Sequence, residues 1–140
     1  MSVPRGRFVL AGALAGLVFT IGGMASAILI DLPTAFARYG VEPTAATALL
    51  HTGLRFGLGF ATVVAYVGFR GAKPGHARAS IVRTVGVVWF LAYVPGSVVL
   101  HELGVLTVAQ LSFALVWGLG ETLLATAVGS RVARADAGSP

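Results

Sequence analysis

Four long apolar runs, separated by short polar segments, organise the chain. They cover about residues 8–30, 44–69, 80–100 and 107–130. Because an α-helix rises about 1.5 Å per residue, roughly 20 apolar residues cross a hydrocarbon core of about 30 Å, and each run is that long. The pattern therefore predicts an all-α, polytopic membrane protein. Its four transmembrane helices are expected to form an up-and-down bundle that makes residues 1–140 a single domain.

The composition agrees with a membrane protein and excludes several other classes. Of the 140 residues, 56% are hydrophobic and 11% are charged, and the mean hydropathy is +0.88, which does not fit a soluble surface. Disorder requires low hydrophobicity, and a disulfide scaffold requires cysteine, which the chain lacks. The sequence has no phosphate-binding glycine loop, HExxH motif or Cys/His metal spacing. We therefore predict neither an enzyme nor a bound metal or cofactor.

The basic residues are distributed unequally between the two ends of the predicted bundle. Only Arg38 lies on the side of the first and third connections, where acidic residues also occur. Since Lys and Arg in short loops are retained in the cytoplasm, we expect an inner-membrane protein with both termini cytoplasmic. The net charge of +5 then reflects topology and not nucleic-acid binding, because the charges flank spans and form no single basic face. The basic residues on the side of the two termini and the second connection, which is predicted to be cytoplasmic, are Arg5, Arg7, Arg70, Lys73, Arg78, Arg83, Arg131 and Arg134.

The N-terminal run has a second interpretation, as a cleaved signal peptide. Arg5 and Arg7 would form its basic start, and residues 25–27 (Ala-Ser-Ala) its cleavage site. The apolar run is longer than usual for a signal peptide, however, and residues 28–30 continue it, so a membrane span is favoured. After this span, the segment 33–39 predicts a short interfacial helix that stops at Gly40.

Small residues recur at helical spacing within the spans. In lipid, glycines inside a helix more often mark a face that a neighbouring helix approaches closely than a turn. The spacing does not distinguish packing within one chain from packing between two copies. The glycines predicted to pack helices are Gly12, Gly16, Gly23, Gly53, Gly57 and Gly118.

Three ionisable residues lie inside the spans: His51, Arg55 and Glu121. Each costs about 2.5–3.5 kcal/mol to insert, so each is a candidate for a buried polar site. His51 and Arg55 are four residues apart and share a helix face. Arg55 and Glu121 are predicted to meet, since no other opposite charge lies at a comparable depth. Such a pair either fixes the packing of the helices or, together with His51, belongs to a solute or proton pathway.

Three aromatic residues and a further histidine also carry polar groups within or at the ends of the spans. Trp89, Tyr93 and Trp117 lie deep enough that their N–H and O–H groups need partners, so they are expected to face neighbouring helices. His51 and His101 raise the alternative of haem, but bis-histidine ligation requires similar depths. Counting residues places His51 roughly 10 Å inside the span and His101 at the interface. Haem or quinone binding is therefore the third alternative.

Two parts of the sequence are distinctive. They are the segment 66–89, with Pro74-Gly75 and Arg78-Ala79 in its basic loop, and the pattern Trp117-Gly118-x-x-Glu121. Both resemble small uncharacterised bacterial four-helix inner-membrane proteins. This resemblance implies a bundle and brings no activity or cofactor. We therefore expect a structural or interaction subunit in the lipid bilayer, as a homo-oligomer or with a membrane-protein partner. A small solute or proton transporter or channel is the alternative.

Overall fold

A computed structural model of the protein describes residues 3–40, 42, 44–72 and 76–134, and Lys73, Pro74 and Gly75 of the basic loop lie outside this part. The described residues form five helices and no strand, and four of the helices are long and apolar enough to cross a membrane. The predicted all-α bundle of four long helices is confirmed. The helices are α1 (Arg5–Leu29), α2 (Leu32–Ala37), α3 (Ala45–Ala72), α4 (Ala77–Glu102) and α5 (Val108–Arg134).

The connections between helices turn at residues with left-handed backbone conformation. Asp31 has φ 51° between α1 and α2, and Gly40 (φ 68°) and Gly104 (φ 76°) follow α2 and α4. Pro33 lies in the first turn of α2, where its missing N–H costs no hydrogen bond. The short helix predicted before Gly40 is therefore present as α2.

The four long helices surround a core of small side chains. Helices α1 and α4 each pack against both α3 and α5, and α3 also contacts α5, whereas α1 and α4 do not meet in the described residues. The core between them contains Ala11, Ala15, Phe19, Val63 and Ala125, all at most 1% exposed. Because alanines dominate this core, the helix backbones approach one another closely.

Large apolar side chains face outward on every long helix. Met24, Leu49, Leu91 and Val116 are each at least 60% exposed. The interior instead combines small apolar residues with buried threonines such as Thr84 and Thr122, whereas a soluble protein places most of its large apolar side chains inside. The buried threonine and serine hydroxyls of this interior are satisfied locally: Thr122, for example, donates to the Gly118 carbonyl at 2.7 Å. This distribution suits a bundle surrounded by lipid, where every polar group must find its partner inside the protein.

Gly59 provides the closest approach between α1 and α3. A Cβ built there would lie 2.6 Å from the Gly12 carbonyl oxygen and 2.6 Å from the Gly16 Cα. Gly12 and Gly16 in turn accommodate the rings of Phe60 and Phe56, so these two predicted packing glycines lie at a helix contact. The sequence prediction did not include Gly59 among them.

Gly53 and Gly57 do not pack a helix within the described part of the chain, because an added Cβ at either position would have no neighbour within 4 Å. Both are exposed on α3. Packing between two copies, which their spacing also allows, stays a prediction. Gly57 is two residues from Gly59, which places it on the opposite side of an α-helix. The four-residue spacing of these glycines was correct for a single face, but it could not indicate which face packs within the chain.

We expect Gly59→Ala to destabilise the bundle by about 1–3 kcal/mol, since the added methyl group overlaps the α1 backbone, which cannot rotate away. The exposed neighbour Gly57→Ala is a matched control and should change stability little or raise it slightly, because Ala favours helix. Thermal melting in detergent measures both. Equal melting temperatures of the two variants would show that α1 and α3 do not pack through Gly59.

Candidate functional site

An ion pair lies in the interior of the bundle. The Nη1 of Arg55 on α3 is 3.2 Å from the Oε1 of Glu121 on α5, and the two side chains are 18% and 2% exposed. The structure thus brings together the two opposite charges that were predicted to meet. Since an unpaired charge is costly in this environment, each residue stabilises the burial of the other.

Tyr93 on α4 connects the two charged groups by hydrogen bonds. Its hydroxyl accepts from Arg55 Nη1 at 2.9 Å and donates to Glu121 Oε2 at 2.7 Å. The Arg55 guanidinium also lies 5.6 Å from the centre of the Tyr93 ring, within the range of a cation–π contact. Both carboxylate oxygens of Glu121 are therefore hydrogen-bonded. Arg55, Tyr93 and Glu121 are called the charged triad below.

Three glycines make room for the charged triad. A Cβ at Gly22 would lie 2.8 Å from the Glu121 side chain, and one at Gly23 would lie 2.7 Å from Arg55 Cζ. A Cβ at Gly118 would overlap the ring of Tyr93. With Gly22 and Gly23 on α1 and Gly118 on α5, the triad lies directly against helix backbone. All four long helices consequently contribute a group to the triad or to its immediate surroundings.

Of these glycines, Gly23 and Gly118 were predicted to pack helices, although against a neighbouring backbone and not under a polar side chain. Gly22 was missed. The adjacent pair Gly22-Gly23 was the available signal, because two consecutive glycines leave space on two different sides of a helix. Here Glu121 of α5 occupies the space beside Gly22, and Arg55 of α3 occupies the space beside Gly23.

His51 extends the charged triad toward one end of the bundle. Its Nε2 is 3.4 Å from Arg55 Nε, a long contact, and the residue is exposed. His101, in contrast, lies 2.8 Å through Nδ1 from the carbonyl oxygen of Leu106 in the connection to α5. In the described part of the chain, no group of three His, Cys, Asp or Glu residues could hold a metal ion.

The deep tryptophans bind backbone carbonyls of neighbouring helices. Trp89 Nε1 donates to Leu115 O at 2.9 Å, and Trp117 Nε1 donates to Gly22 O at 3.1 Å. The prediction that Trp89, Tyr93 and Trp117 face other helices and find partners there is confirmed. These bonds fix α4 against α5 and α5 against α1, and so hold the helices that carry the charged triad.

A groove of about 530 Å³ runs between α1 and α5 beside the triad. Val18, Phe113 and Trp117 contribute its apolar walls, and Gly22 and Glu121 also line it. Ile21, which lines it as well, is 60% exposed, so the groove faces outward. Glu121 itself offers only 2% of its side-chain surface.

Comparison with known proteins finds no family model, no curated protein and no solved structure that matches this chain.

Arg55→Met and Glu121→Gln should each destabilise the bundle by about 3–5 kcal/mol, because either change leaves the other charge buried and unpaired. The double variant should be more stable than either single variant, since no charge then remains at the site. A double-mutant cycle, measured by thermal melting in detergent, provides the comparison. Strictly additive effects would show that the two residues do not interact.

Tyr93→Phe removes one hydroxyl from the charged triad and retains the ring. It should cost about 1.5–3 kcal/mol, the range for hydrogen bonds to charged groups, and the loss should disappear in the Arg55→Met/Glu121→Gln background. The same loss in both backgrounds would mean that the hydroxyl does not serve the ion pair.

Proposed function

We propose that the protein is a multi-pass membrane protein that acts as a structural or interaction subunit and not as an enzyme. Its bundle lies in the inner membrane with both termini cytoplasmic, and it assembles as a homo-oligomer or with another membrane protein. The observation that carries this proposal is the closure of the charged triad on itself. The strongest polar groups of the interior bind one another and leave the outer surface to make contacts.

A catalytic or transport site normally keeps a polar group available to its substrate. Here Glu121 uses one oxygen for Arg55 and the other for Tyr93, and 2% of its side chain is exposed. A cation that entered the site would have to displace the guanidinium of Arg55. This arrangement favours a role in fixing the four helices, which suits a protein whose rigid outer surface is recognised by a partner.

A small proton or solute pathway is the second candidate, and one observation favours it. Exposed His51 contacts Arg55, which contacts Tyr93, which contacts Glu121. This is a continuous series of hydrogen-bonding groups from the surface to the interior. Arg55 cannot itself relay a proton, since an arginine does not deprotonate in proteins, so transfer from His51 to Tyr93 would require the guanidinium to move out of the path.

Reconstitution into vesicles that contain a pH-sensitive dye distinguishes the two candidates. If the protein is a subunit, an imposed proton gradient should decay no faster than in empty vesicles, and native mass spectrometry should detect a homo-oligomer or a defined complex. A faster decay that Glu121→Gln abolishes would contradict the proposal and favour the proton pathway. Gly57→Ala, which alters an exposed position, serves as the control for reconstitution.

The orientation is tested separately. A reporter that is active only in the cytoplasm should be active when fused at the C-terminus and inactive when fused after Gly40. The reason is that basic residues concentrate where α1 begins and where α5 ends. Activity after Gly40 together with inactivity at the C-terminus would reverse the topology.

A further inference from the structure

The basic end of the bundle, where α1 begins and α3 and α5 end, holds a buried hydroxyl that the fold does not satisfy. Tyr66 is 1% exposed, and its hydroxyl has no hydrogen-bond partner in the part of the chain that the structure describes. The other buried hydroxyls, such as those of Thr84 and Thr126, donate to carbonyls of their own helices. An unsatisfied buried donor is costly and therefore needs an explanation.

Several arginines lie at this end of the bundle, and one of them is next to the Tyr66 ring. The Arg134 guanidinium lies 5.9 Å from the centre of the Tyr66 ring. A Cβ at Gly129 would lie 3.0 Å from Val63 and 3.6 Å from the Ala11 carbonyl oxygen, so α1, α3 and α5 meet at this level. Arg7 and Arg70 follow within one to two helical turns toward the basic end. The Nη1 of Arg70 is buried and also lacks a hydrogen-bond partner among the described residues.

Among the described residues, neither Arg70 nor Arg134 forms a salt bridge with a carboxylate. Asp31, Glu42 and Glu102 lie at the opposite end of the bundle, and Glu121 is committed to the charged triad. Asp136 lies outside the described residues. The basic end thus combines an excess of guanidinium groups with a buried donor that has no acceptor. Both features favour a phosphate, which supplies negative charge and several acceptor oxygens.

We propose that the basic end binds the phosphate group of an anionic phospholipid between α1, α3 and α5. The Tyr66 hydroxyl and Arg70 donate to the phosphate oxygens. Arg134, which donates to the carbonyl oxygen and the hydroxyl of Ser130, exchanges these contacts for the phosphate. Val9 and Leu10 follow Arg7 within one turn of α1. They are 55% and 52% exposed and offer an apolar surface to the lipid chains. This apolar surface beside the arginines favours a lipid headgroup over free phosphate.

The test uses the full-length protein in detergent, with binding of phosphatidylglycerol and of phosphatidylcholine measured by native mass spectrometry. Phosphatidylglycerol should bind at least about tenfold more tightly. Tyr66→Phe and Arg134→Gln should each weaken its binding by about tenfold, which corresponds to one hydrogen bond to a charged group. Arg131→Gln removes the same charge from an exposed position on α5 and should change binding less than about twofold.

Melting temperatures in phosphatidylcholine show whether each variant is folded, and Tyr66→Phe should be no less stable than the original chain because it removes an unsatisfied hydroxyl. Equal losses in Arg131→Gln and Arg134→Gln would mean diffuse attraction between charges and would overturn the proposal. Unchanged lipid binding in Tyr66→Phe would also overturn it. If millimolar inorganic phosphate displaces the lipid, the site recognises a free anion and the lipid assignment is wrong.

Discussion

The contact between Arg55 and Glu121 imposes the main constraint on this bundle. Each charge alone would disfavour insertion by about 2.5–3.5 kcal/mol, so the two must meet, and α3 and α5 must lie close enough for a 3.2 Å contact. Tyr93 satisfies the second carboxylate oxygen from α4, and Gly22 with Gly23 brings the α1 backbone against both side chains. The relative positions of four helices are thereby coupled to one polar contact.

The rest of the interior is consistent with this constraint. Where lipid tails are as apolar as leucine, burying leucine between helices gives no advantage, and close packing with internal hydrogen bonds must provide the stability. The core accordingly uses Ala11, Ala15 and Gly59, and its threonine hydroxyls bond within their own helices. Large side chains such as Leu49 remain outside. Short interhelical distances follow, and these in turn allow Arg55 to reach groups on three other helices.

The sequence alone predicts the four helices and the central pair. The hydropathy of each run, and the depth of a charge within its run, can be determined from one segment at a time. A run of about 20 uncharged, apolar residues is long enough to span a membrane, and two opposite charges at similar depth stabilise each other when they pair. The direction in which a glycine points depends on the neighbours of its helix, which the sequence does not state. For this reason the sequence does not show that Gly53 and Gly57 lack a neighbouring helix within the chain, or that Gly22 and Gly59 have one. Tyr93 was expected to need a partner, but its partner depended on the register between α4 and α5.

The choice of arginine at position 55 follows from the same geometry. One nitrogen, Nη1, serves both Tyr93 and Glu121, and Nε points toward His51. A lysine would place a single compact charge near Glu121, but it has no second donor group farther back along its side chain. The planar guanidinium can therefore complete the buried triad and contact an exposed residue at the same time. The triad is thus closed in the interior, and the contact between Arg55 and His51 links it to the surface. This contact is possible because the two residues are four positions apart on the same face of α3.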